Sequence, residues 1–79
     1  MEDLQPDRTL DCTGLFCPMP VVKTNKEMKR LTGGQVLKMI ATDPGSIPDM
    51  EAWSKQTGHE LLLSQEDNGT YIFLVRKRE

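Results

Sequence analysis

Residues 8–21 read Arg8-Thr9-Leu10-Asp11-Cys12-Thr13-Gly14-Leu15-Phe16-Cys17-Pro18-Met19-Pro20-Val21. Arg8 to Cys12 predicts a short strand ending at Thr13-Gly14. Cys17-Pro18 then opens a helix, because proline is favoured at the first helical position, where its missing backbone donor is no loss. Pro20 falls in the same first turn and is tolerated for the same reason. Val21, Thr24, Met28 and Leu31 continue at helical spacing as an apolar stripe, while Lys23, Lys26, Glu27, Lys29 and Arg30 face water. Gly33-Gly34 stops the helix.

Outward from this stretch the pattern repeats and then changes. Val36 to Ala41 reads as a second strand, apolar on both faces and therefore interior to a sheet. Asp43-Pro44-Gly45 breaks it. Ser46 with Asp49 three residues on is a variant capping box, and Ile47, Met50, Trp53 and Thr57 give a second helix its buried face before Gly58. Glu60 to Gln65 and Thr70 to Arg76 read as two strands of a hairpin turning at Asn68-Gly69. The order is β-α-β-α-β-β. Strand–helix–strand crossovers keep one hand, so the expected fold is a two-layer α/β sandwich: a four-stranded mixed sheet with two helices on one face. With the first two strands parallel, both helices begin on the edge where those strands end, which places Cys17 and the turn from Asp43 to Ser46 together.

With 79 residues and no internal repeat or linker, residues 1–79 read as a single domain. A chain of this size buries only about 60% of its unfolded surface, which leaves little room for a walled-in pocket. A formal net charge of −2 and 5% aromatic residues leave little to bind phosphates or stack bases, so no direct nucleic-acid contact is expected. The basic run Arg76-Lys77-Arg78 is read as a solvated end. No apolar run approaches the roughly 20 residues of a membrane span. Met1 to Pro6 is acidic and carries no hydrophobic stretch, so it is not a signal peptide, and a cytoplasmic protein is expected. In a reducing compartment Cys12 and Cys17 are thiols rather than a structural disulfide.

Cys17 is the candidate reactive residue. At a helix start, unpaired backbone donors and the helix dipole favour thiolate, which predicts a pKa below that of a free cysteine. Pro18 and Pro20 stiffen the turn that carries it. The alternative is a small buried residue, as most free cysteines are. Cys12 shares a face with Leu10 and reads as an inert core thiol, or else as a second thiol that resolves Cys17.

The segment from Asp11 to Val21 resembles the Cys-Pro-x-Pro signature of the TusA/SirA-like sulfur-carrier proteins. The turn Ala41-Thr42-Asp43-Pro44-Gly45-Ser46 and the closing hairpin are similar as well, so the resemblance covers nearly the whole chain. It implies a fold like the C-terminal domain of translation initiation factor three. It also implies that Cys17 accepts persulfide sulfur from a cysteine desulfurase or a rhodanese and passes it to an acceptor protein. Tasks of that family include tRNA thiolation, molybdenum-cofactor supply and sulfur oxidation. Such a protein carries sulfur without turning over alone and has no cofactor of its own.

Phe16 either packs inward or offers a partner contact, and Lys23 is a candidate partner contact near the first turn. Asp43 is a turn-former or a group that orients a partner beside Cys17. His59 reads as exposed or helix-capping, Trp53 as core, and Met19, Met28, Met39 and Met50 as core filler. Two Cys and one His are too few for a closed zinc site, so no metal is expected. The other functions consistent with the residues are a Cys12/Cys17 redox switch and a nucleic-acid-binding or regulatory module.

Overall fold

The computed structural model describes residues 5–79; Met1 to Leu4, and with them most of the N-terminal segment read above, lie outside the described residues. The elements are β1 (Arg8–Cys12), α1 (Met19–Met28), β2 (Val36–Ala41), α2 (Ser46–Thr57), β3 (Glu60–Asp67) and β4 (Thr70–Arg76). The sheet runs β1-β2-β4-β3, with β1 parallel to β2 and the other two pairs antiparallel. This is the expected mixed sheet. No helix among the described residues is long and apolar enough to cross a membrane.

Period two places the core. Leu37, Met39 and Ala41 on β2 pair with Val75, Phe73 and Tyr71 on β4, and all six are buried. Cys12, Met28, Leu31, Met50 and Trp53 complete one cluster with them, so β1, both helices and the inner sheet face close a single core. At about 25 cal/mol per Å² of apolar surface removed from water, such burial is the main source of stability. The opposite faces of β2 and β4, with Lys38, Ile40, Ile72 and Leu74, are half-buried and uncovered by helices.

Local chemistry sets the ends of the elements. Asn68 and Gly69 both take positive φ (50° and 83°), the two-residue turn whose twist matches antiparallel strands. Gly58 ends α2 at φ 83°, donating its N–H to Ser54 O. α1 ends earlier than the double glycine suggests. The N–H groups of Lys29, Arg30 and Leu31 turn back to the carbonyls of Lys26, Glu27 and Met28, which tightens the chain but still delivers Leu31 to the core. Thr24 sits in the apolar stripe because its hydroxyl donates to Pro20 O at 2.7 Å.

Candidate functional site

The loop leaving β1 is tied down residue by residue. Thr13 N–H donates to Asp11 Oδ1 at 3.0 Å, and Gly14, at φ 80°, donates to Thr42 Oγ1 at 2.9 Å, fixing the loop to the end of β2. Leu15 packs against the core, whereas Phe16 is 76% exposed. Phe16 therefore points outward, with Met19 and Val22 beside it as the other exposed apolar side chains of this helix start. Met19 is thus not core filler, unlike Met28, Met39 and Met50.

Cys17 is exposed at this rim, one residue before the N-cap Pro18 rather than at the cap itself, and the Cys17–Pro18 peptide is cis. Its backbone N–H donates to Asp43 Oδ2 at 2.6 Å, and its thiol donates to Asp49 Oδ2. Asp43 thus forms its turn and braces Cys17 at once. Gly45 permits the approach: a β-carbon there would stand 3.3 Å from Cys17 Cβ and 3.4 Å from Asp43 Oδ2.

The surroundings of Cys17 run against the expectation of a stabilised thiolate. The hydrogen bond to Asp49 pushes the Cys17 thiol pKa up, with desolvation and the charges of Asp49 and Asp43 adding in the same direction. The helix start gives little in return. Pro18 and Pro20 have no N–H, Met19 N–H goes to Phe16 O, and Val22 N–H goes to Pro18 O. The prolines that mark the helix start also remove donors that would have favoured negative charge.

The capping box is corrected as well. α2 is capped by Gly45 without a side-chain bond, because Ser46 already lies in the helix with its Oγ buried and unpartnered. Asp49 is thereby left to face Cys17. This neighbour of Cys17 was missed by the sequence reading, although one signal was available: the first turn of α2 begins on the same sheet edge as Cys17. Both line a shallow trough between the helices with Pro18, Val21, Ala52, Trp53 and Gln56.

The other candidates lie elsewhere. Cys12 is fully buried in the core, where desolvation raises its pKa. Lys23 lines a separate cleft with Leu10, Lys26, Glu27 and Arg30, not the Cys17 trough. Trp53 is core, its Nε1 donating to Asn25 Oδ1. His59 is neither exposed nor capping: it is half-buried, 5.3 Å from the Trp53 ring, and its Nδ1 accepts the Arg78 N–H.

With the exposed thiol, its two acids and the fold in place, comparison with known proteins becomes specific. The family model described as sulfurtransferase TusA matches residues 8–77. The chain belongs to the TusA family. The sulfur carrier protein TusA of Allochromatium vinosum is 48% identical over 71 residues, covering 90% of this chain and 93% of that one. The one from Pseudomonas entomophila is 49% identical over 78 residues, 99% and 98% of the two chains. A putative sulfur carrier protein of Aquifex aeolicus is 47% identical over 98% of this chain, which matches 39% of its length. The crystal structure of a SirA-like protein from Desulfitobacterium hafniense superposes with a TM-score of 0.78 over 91% of this chain and 99% of that one. At 23% identity that likeness speaks for the fold alone.

Proposed function

We propose that this TusA-family chain, read as one domain over residues 1–79, is a sulfur carrier in a persulfide relay, with Cys17 as the carrying residue. The observation that carries the reading is the contrast between the two thiols. Cys17 stands exposed at the rim where both helices begin, and Cys12 is sealed in the core. Cys17 Sγ attacks the outer sulfur of a donor persulfide, the donor's sulfur–sulfur bond breaks, and the donor cysteine leaves as a thiolate. Delivery is the same exchange with the acceptor thiolate as attacking group. One sulfur–sulfur bond forms for each one broken, so neither step needs a cofactor, and the chain does not turn over alone.

The donor is a protein of the cysteine desulfurase or rhodanese type, and the acceptor a second protein of the relay, both cytoplasmic. Pro18 and Pro20 support the carrying turn and Asp43 braces it. Phe16, exposed beside the thiol, is a partner contact, with Lys23 further along α1 a secondary one. Burial of Cys12 speaks against the redox-switch alternative, since an inert core thiol does not resolve a persulfide at the surface. The test is sulfur loading read by intact mass on wild type and Cys17→Ser.

A further inference from the structure

A sulfur carrier must present a thiolate to its donor, since the thiolate and not the thiol is the nucleophile. The surroundings of Cys17 oppose this. Its thiol donates to Asp49, its backbone N–H is braced by Asp43, and the charged groups acting on the thiol are these two acids. Among the described residues the ion pairs are Arg8–Glu27 and Arg76–Glu60, so neither Asp43 nor Asp49 has an internal cation. Asp49 also lines the trough whose walls include Pro18, Val21, Ala52 and Trp53. Low-polarity walls shield a charge less than open water does.

We infer that Asp49 is the specificity-determining residue of sulfur transfer: its carboxylate, hydrogen-bonded to the Cys17 thiol and without an ion-pair partner among the described residues, favours a donor that sets a positive charge against it. The inference rests on Cys17 being the carrying residue. A donor cation that engages Asp49 weakens both the hydrogen bond and the repulsion. The Cys17 proton passes to solvent, Sγ bonds to the outer sulfur of the donor persulfide, and the donor cysteine departs as a thiolate. Sulfur compounds and oxidants that bring no such charge leave the Cys17–Asp49 hydrogen bond in place and react slowly. Asp49 therefore acts on which donor is used rather than on whether a persulfide can form.

Three small disulfides that differ in charge probe this directly: cationic cystamine, neutral 2-hydroxyethyl disulfide and anionic dithiodiglycolate. Each reacts by the same balanced exchange, in which Cys17 Sγ bonds to one probe sulfur and the other half of the probe leaves as a thiol. Rates are read by intact mass on the full chain at low salt, assigned to Cys17 by peptide mapping and normalised to a neutral model thiol. Wild type is expected to prefer cystamine over the neutral probe by about tenfold, a charge attraction between that of open water and that of a protein surface, with the anionic probe slowest. Asp49→Asn is expected to lower the midpoint of the iodoacetamide pH profile, speed the neutral probe and shrink the cystamine preference to about twofold, the remainder coming from Asp43. Asp49→Glu, which keeps the charge, is expected to keep most of the preference. A wild-type preference that Asp49→Asn leaves unchanged, or an unmoved midpoint, overturns the assignment. Should Asp49→Asn fail to fold, wild type decides by salt alone: a cystamine preference that persists undiminished at about 1 M salt is not electrostatic and overturns it too. Loading by a desulfurase is scored separately. A chain that shows the charge preference yet never gains sulfur counts against the carrier reading and not against Asp49.

Discussion

Alkylation of the native chain with excess iodoacetamide is expected to proceed in two phases, the first on Cys17 and the second on Cys12. Cys17 is open to the reagent, whereas Cys12 is 0% exposed and sits on β1, paired from Arg8 to Cys12 with Leu37 to Ala41 of β2. The reagent reaches Cys12 only when β1 opens. For a chain of this length global unfolding takes about 4–12 kcal/mol, from roughly 0.05–0.15 kcal/mol per residue. At tenfold per 1.4 kcal/mol, opening at the low end of that range already slows Cys12 by about 10³. β1 is an edge strand and opens more readily than the centre of the sheet, so the low end is the appropriate figure. The raised pKa of Cys17 slows the first phase at neutral pH, but this effect fades as pH rises, while the burial of Cys12 does not. The assay is a time course of intact mass at two pH values, with peptide mapping of the first adduct and a denatured control in which both thiols react together. Equal rates in the native chain, or a first adduct on Cys12, would refute the assignment of inside and outside thiols. A Cys12–Cys17 disulfide in place of adducts would do the same.

Two further outcomes follow from named contacts. Lys23→Glu is expected to slow transfer from a desulfurase by up to about fivefold, the size of one surface charge pair of about 0.2–1 kcal/mol. Lys55→Glu, exposed at the far end of α2, is the control. Equal slowing by both changes contradicts docking at the start of α1. His59 makes stability depend on pH. Burial and the charges of Arg78 and Lys77 depress its folded pKa below 6.5. Its contribution is therefore present above that ordinary value and lost as pH falls through the lower folded one. The melting temperature of wild type should fall towards that of His59→Gln as pH drops through this window, and a constant difference between them contradicts the role of His59.

Much of this was legible in the sequence because local chemistry and tertiary packing agree. Asn68-Gly69 specifies its turn, Gly58 its helix end, and the alternation in Thr70 to Arg76 its buried face, each by rules that act over a few residues. Cys17 was legible for the same reason, since the prolines beside it announce a helix start. What failed depended on contacts between segments distant in sequence. Asp49 satisfies the local pattern for a cap, yet it is 32 residues from the thiol it meets, and only the packing of α2 against the start of α1 makes that meeting. Met19 and His59 were misread likewise. Whether a methionine at a helix start is covered, or a histidine packs against Trp53, is decided by neighbours that periodicity does not name.

Whether Cys17 carries the sulfur is read by intact mass after incubation with a cysteine desulfurase and free cysteine, for wild type, Cys12→Ala and Cys17→Ser. Cys17 is exposed ahead of the helix, so a serine hydroxyl there is expected to leave the fold intact. Wild type and Cys12→Ala are each expected to gain one sulfur, removable by a reducing thiol, and Cys17→Ser to gain none while melting like wild type. A Cys17→Ser protein that still gains a sulfur, or a folded wild type that gains none, would contradict Cys17 as the carrier.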